Sequence, residues 1–338
     1  MSISGRRLAQ LAGISPATAW RALHGQYGVS EEIQRKVLAL AKKHQFPLPA
    51  MRAPETPNLL NVCASCIDIQ GEVSTRGFNH RLLAGLQQGA AACGAESPNY
   101  QPNWLHEANW PLAVTRQEVD GVILPLGNEF ARHPLFPAPV PAVFLFNGPA
   151  GADVVTVANF DASLAIGRHL AALGHKRAAY IGFQSNLSVE RLYGLRAGLE
   201  SAGASLPPEN TFLRKQVGPD EFRMLTDKLL ETARPGDTGP HGVTALMVYN
   251  DYFAAVVIQR LRERGVKVPE ELSVVGFDNV RPPDYDGPPL TTVAMPLEEL
   301  GAEAVRMLYW RLAHPHAPPR KLVLAAPLVL GETARAVS

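Results

Sequence analysis

The chain has 338 residues, enough for two or three compact units, and its 46% apolar and 19% charged side chains are a globular rather than a disordered balance. No apolar run reaches the ~18 residues of a membrane span, and Met1–Arg7 holds no apolar core before a cleavage site. A cytoplasmic protein without a membrane partner is expected, and three cysteines at no framework spacing agree with a reducing compartment.

The net charge of +1 conceals an uneven distribution. Residues 1–52 hold Arg6, Arg7, Arg21, Arg35, Lys36, Lys42, Lys43 and Arg52 against only Glu31 and Glu32, a local charge of +6. The remainder has 24 basic and 29 acidic residues, a charge of −5. A basic head on an acidic body implies a polyanion-binding module beside a domain that does not bind polyanions.

Three short helices are expected within residues 4–45. Ser4 caps the first, whose apolar residues are Leu8, Ala9, Leu11 and Ala12, and Gly13 supplies the left-handed turn that ends it. Ser15-Pro16 places a cap and a first-turn proline before a second helix running toward Gly25. Ser30 caps the third, with Glu31 and Glu32 at its positive end and Lys42 and Lys43 at its negative end. Helix, glycine turn and helix at this spacing read as a helix-turn-helix, whose second helix enters the major groove.

The motif Leu8-Ala9-x-x-Ala12-Gly13-Ile14-Ser15-x-x-Thr18-x-x-Arg21-x-Leu23 resembles the headpiece of the LacI/GalR family. That resemblance implies base-reading positions at Pro16, Ala17 and Arg21, and positions near phosphates at Ser4, Ser15, Thr18 and His24. Arg21 is the strongest candidate, because a guanidinium can take both O6 and N7 of a guanine. Two residues depart from the family pattern: Trp20 replaces a small polar residue, either against the sugar-phosphate backbone or as core, and Arg7 replaces an acid.

After the headpiece (1–47) comes a linker (48–58), where the family forms a minor-groove hinge helix carrying a wedge leucine. Here Pro47, Pro49, Pro54 and Pro57 oppose a helix, and the wedge position falls near Glu55. Either Leu48 or Met51 wedges from a shortened element, or the linker is an extended spacer, the reading favoured.

From residue 59 to 338, strand-like runs alternate with helical stretches, as in an α/β protein with parallel sheets. Expected strands are Leu59–Ser65, Gly121–Pro125, Ala142–Phe146, Val154–Val157, Ala178–Gly182, Ala245–Tyr249 and Ser273–Phe277. Helices are expected near 79–93, 161–173, 191–202, 220–233, 251–264 and 297–312. Val119–Leu124, His169–His175, Arg191–Leu195, Leu272–Asn279 and Pro289–Val293 resemble the family's effector domain in order. The resemblance therefore implies an all-α helix-turn-helix headpiece plus an α/β two-lobed, periplasmic-binding-protein-like effector domain built on doubly wound parallel sheets. It places the first lobe at about 59–158 and 293–319, the second at about 161–289 and 322–338, and crossovers near 158–161, 289–293 and 319–322.

Ligands of open α/β sheets bind beyond the carboxyl ends of the strands. That rule selects Ser65, Phe78, Phe146-Asn147, Phe183, Asn250-Asp251 and Asp278, with Arg191 at the head of its helix. Family correspondence places Arg191, Asn250 and Asp278 at effector-contacting positions. With Phe78 and Phe146 they suit a sugar or polyol: carboxylate and guanidinium bond hydroxyls while aromatic faces cover a ring. Phe146 stands where many sugar-responsive relatives carry an acid.

The protein that the resemblance implies is a regulator that represses carbohydrate-utilisation genes, binds operator DNA as a homodimer and answers a small effector. A sugar-binding protein or a sugar-metabolism enzyme without DNA function is the alternative. No cofactor is expected: Cys63-x-x-Cys66 would point to opposite faces of a strand, His314-x-His316 lacks partners, and nucleotide-binding and nucleophile-elbow motifs are absent.

Overall fold

A computed structural model describes residues 3–23, 29–44, 46, 57–61, 76–96, 98–100, 118–125, 140–215, 218–239, 242–282 and 284–337. The headpiece comprises α1 (Gly5–Ala12), α2 (Pro16–Leu23) and α3 (Glu31–Lys43). The expected caps are in place. Ser4 Oγ accepts from Arg7 N at 3.3 Å, Ser15 Oγ from Thr18 N at 3.0 Å, and Ser30 Oγ from Ile33 N at 3.4 Å. Gly13 adopts φ 73°, where a side chain would be strained. Leu8, Ala12, Ala22, Val37 and Ala41 close a small core.

The body forms two parallel sheets. The first holds β1 (Leu59–Asn61), β2 (Asn99–Tyr100), β3 (Gly121–Pro125), β4 (Ala142–Leu145) and β5 (Asp153–Val157), with helix α4 (Arg76–Ala92) between β1 and β2 in the chain. After α5 (Asn159–Ala172), the second lobe supplies β6 (Ala178–Phe183), α6 (Asn186–Glu200), β7 (Thr211–Arg214) and α7 (Pro219–Thr232). A short parallel pair, β8 (Arg234–Pro235) and β9 (Gly242–Val243), precedes β10 (Ala245–Val248), α8 (Asp251–Glu263) and β11 (Ser273–Val275). The chain ends with β12 (Thr292–Val293), α9 (Leu297–Ala313), β13 (Lys321–Leu324) and β14 (Leu328–Val329). Sheet orders are β13-β5-β4-β3-β1-β2 and β11-β10-β6-β7. Both faces of the second sheet are buried, Tyr180 and Met247 in one apolar cluster and Ile181 and Leu246 in another, which accounts for the continuous apolar runs of its strands.

The chain passes between the lobes at Ala158, whose amide donates to the Leu324 carbonyl, and through β12 and β14, which pair antiparallel. One sequence expectation needs correction. Residues from 322 onward were expected in the second lobe, but β13 pairs in parallel with β5 and belongs to the first sheet. The third crossing therefore follows Leu324. Alternating exposure in β13 hid the strand, because only one of its edges is paired and half its side chains are wet.

Other boundaries move by a few residues. Expected strands end early at Leu145, Val248 and Val275. Helix α6 begins at Asn186 because Ser185 caps it, accepting from Ser188 N at 3.1 Å. Arg191 thus sits in its second turn rather than at its head. Of the first expected strand only Leu59–Asn61 is described; Ser65, Cys63 and Cys66 lie outside the described residues, as do His24 and linker residues 47–56.

Candidate functional site

On the headpiece, Ser4, Ser15, Pro16 and Ala17 are exposed, and Thr18 and Arg21 are partly so. Residues 16, 17, 20 and 21 share one face of α2, while Ala19 and Ala22 turn inward to the core. Arg21 Nε donates to the Ala17 carbonyl at 3.4 Å, its one hydrogen bond among the described residues. Trp20 is 50% exposed and does not fill core; it extends the face that Pro16 and Ala17 present.

In the body, β6, β10 and β11 end at one edge of the second lobe and deliver a buried polar cluster there. Arg191 is 3% exposed, its guanidinium carbon 3.7 Å from the Phe277 ring centroid and 4.6 Å from that of Tyr249. Its Nε donates to Asn159 Oδ1 at 3.0 Å and its Nη1 to the Tyr249 carbonyl at 2.6 Å. Its Nη2 faces Met295 Sδ at 3.8 Å and Asp278 Oδ1 at 3.7 Å. All three nitrogens therefore have partners within the protein, those of Nη2 being the longest, so Arg191 is a brace rather than an open fork.

Asn250 is committed as well. Its Oδ1 caps α8 by accepting from Phe253 N at 3.1 Å, and its side chain favours the ionised form of Asp278. Asp278 follows β11 with φ 105° and is nearly enclosed. Burial pushes its carboxyl up to about 6, against the opposing pull of Arg191 and Asn250. Sequence reasoning brought Arg191, Asn250 and Asp278 to one place, and they do meet.

Phe78 on α4 and Phe146 after β4 meet separately, rings 5.7 Å apart and tilted 43°. Phe146 is not the end of a strand; at φ 69° it turns the chain, and its carbonyl accepts from Thr156 Oγ1 at 2.6 Å. Both rings belong to the apolar cluster that also contains Phe277 and Met295.

Sequence reading underweighted Asp251, naming it only as a residue beyond a strand. It is 2% exposed and binds three chain segments: its own helix α8, Thr292, whose Oγ1 donates to Oδ1 at 2.6 Å, and Val280, whose amide donates to Oδ2 at 2.9 Å. Burial, then the charge of Asp278, holds its carboxyl well above the usual range. Gly276 was the signal in the sequence, since a Cβ there would stand 2.0 Å from Asp251 Oδ1.

Among the described residues, no cluster of His, Cys, Asp and Glu could hold a metal, and no helix is long and apolar enough to cross a membrane. His314 stacks on Trp310, and its Nδ1 donates to that residue's carbonyl.

A basic three-helix head joined to a two-lobed parallel α/β body, with buried polar groups at the strand ends, defines a ligand-responsive transcriptional regulator rather than an enzyme. Comparison with known proteins agrees. Residues 168–334 match the periplasmic binding protein-like domain family. The HTH-type transcriptional regulator DegA of Bacillus subtilis is 26% identical over 96% of this chain and 95% of its own length. The ribose operon repressor of Haemophilus influenzae is 24% identical, covering 96% and 97%. Among solved structures, a complex of the transcriptional regulator CelR with cellobiose superposes with TM-score 0.68 at 23% identity, over 98% of this chain and 99% of that one. A LacI family regulator from Enterococcus faecium with bound ribose gives 0.66 at 21%, over 83% and 100%. Over nearly its whole length the chain is thus similar to transcriptional regulators of the LacI/GalR kind.

Proposed function

We propose that this chain is a dimeric, operator-binding repressor of carbohydrate-utilisation genes, switched by a small sugar-like effector held at the Arg191–Asp278 cluster. The observation that carries this reading is the cluster itself: a buried carboxylate loosely paired at 3.7 Å with a buried guanidinium, flanked by aromatic rings at the ends of parallel strands. Such a set accepts from and donates to vicinal hydroxyls while apolar surface covers a sugar ring. The exposed α2 face supplies the DNA-reading half. Two relatives with bound sugars, one with cellobiose and one with ribose, support the ligand class. Self-association is assigned to lobe surfaces that include α4 and Val280–Tyr285. Linkage follows: an effector that prefers one lobe arrangement shifts headpiece spacing over two half-sites.

The test begins by selecting a duplex from random-sequence DNA with the wild-type protein. Mobility shifts on that duplex are then measured with cellobiose, ribose, other sugars, polyols and nucleosides. A palindromic selected site whose affinity changes at least about tenfold with one sugar is expected. A response to nucleosides alone would overturn the ligand class, and failure to select any site would overturn the DNA function.

A further inference from the structure

Resting on the reading of Asp278 as an effector contact, we propose that Arg81 and Asp251 are positioning residues that grip the Asp278–Val280 turn from opposite lobes and transmit its movement to α4. The turn is strained. Asp278 at φ 105° and Asn279 at φ 54° are consecutive non-glycine residues in the left-handed region. Such backbone persists only where its surroundings over-determine it.

The second lobe supplies one grip. Asp251 accepts the Val280 amide on one oxygen and the Thr292 hydroxyl on the other, and Thr292 Oγ1 in turn lies 3.4 Å from the Asn279 amide. The Asp278 amide donates to the Val293 carbonyl at 2.9 Å, fixing the turn to the crossover strand β12. A single buried carboxylate thus ties helix α8, the turn and the crossover together.

The first lobe supplies the other grip. Arg81 on α4 forms a forked pair with Glu298 on α9, at 2.7 and 2.8 Å. The same guanidinium reaches the Asn279 carbonyl and the Met295 carbonyl, each at 3.4 Å. One turn earlier on α4, Gly77 lies against the turn, and a Cβ there would stand 2.9 Å from Val280 Cγ1. Glycine allows the helix to seat on Val280 directly. A ligand that draws Asp278 moves Asn279 and Val280 with it, and both press on α4. Helix α4 packs along α9, and the first lobe begins at β1, immediately after the linker to the headpiece. The path from effector to DNA then runs through named contacts.

The test uses the full-length protein, Arg81→Met to remove the fork but keep the stem, and Arg81→Lys to keep the charge alone. Asp251→Asn serves as the second-lobe counterpart. Amide hydrogen exchange without ligand should rise about tenfold at 279–281 in Arg81→Met, with β10 and β11 unchanged. Arg81→Lys should not restore protection, because an ammonium cannot span Glu298 and a carbonyl together. With the sugar that shifts wild-type protein most, calorimetry should give a dissociation constant within about threefold of wild type, while the effector-induced change in DNA affinity falls about tenfold. Unchanged exchange at 279–281, or a full DNA response in Arg81→Met, would overturn the clamp. A wild-type protein that binds no sugar rejects the effector reading by itself, and the exchange comparison still decides the grip.

Discussion

Arg21 on the headpiece and Arg191 in the body carry the same guanidinium under opposite conditions. Arg21 is partly exposed and, among the described residues, bonded only to the carbonyl one turn before it. Arg191 is enclosed, stacked on Phe277 and bonded to Asn159 and Tyr249. A reading face must stay open to meet a partner that arrives later, so its residues add little to folding. A binding cleft in a protein interior must satisfy its polar groups before any ligand arrives, so its residues are structural as well. Substitutions should separate the two regions on this ground.

The largest expected effect is in the cleft. Arg191→Ala removes the cation beside Asp278 and strands the Tyr249 carbonyl and Asn159 Oδ1 without their donor. Breaking a buried pair in this way costs roughly 3–5 kcal/mol of stability. The check is urea unfolding of the ligand-free protein, where a loss under about 1 kcal/mol would show that Arg191 serves the ligand alone.

Arg21→Ala gives the contrasting case. It should leave the unfolding midpoint within about 0.5 kcal/mol of wild type, as surface changes do. It should cost about 1–3 kcal/mol of discrimination at one base pair of the selected duplex. Loss of stability comparable to that of Arg191→Ala would erase the contrast between the two regions.

The contrast also explains what could be read in advance. Caps, a left-handed glycine and helical spacing are local, so Ser4, Gly13, Ser15 and Ser30 placed the headpiece helices to within a residue or two. The parallel strands were legible because burial on both faces leaves continuous apolar runs. The strand Lys321–Leu324 was not, because an edge strand alternates too briefly to stand out. The cleft was legible as a set of positions but not as a network. Nothing local in the sequence says that Asp251 would tie α8 to Thr292 and Val280. Those bonds join residues about thirty to forty positions apart, and only the fold brings them together.

The smallest expected effect is a dependence on pH that the headpiece should lack. Asp278 titrates at about 6 in the folded chain because burial disfavours its charge, with Arg191 and Asn250 only partly offsetting that cost. Asp251, beside it, is raised in the same direction, by burial and then by the charge of Asp278. An acid whose folded pKa lies above its ordinary value binds its proton more tightly when folded. Its contribution to stability is therefore complete below about pH 4 and is lost as pH rises through about 6. Effector binding should run the other way. Hydroxyl donors need the ionised carboxylate, so affinity should rise about twofold between pH 6 and 7.5 as the remaining protonated half of Asp278 ionises. Asp278→Asn should flatten that rise while lowering affinity overall, whereas selected-duplex binding without effector should follow salt and not this titration. Calorimetry at several pH values on both proteins measures it. A wild-type affinity that is flat from pH 5 to 8, or one that falls with rising pH, would show that Asp278 does not accept from the ligand, and the polar cluster would then be a structural feature of the second lobe alone.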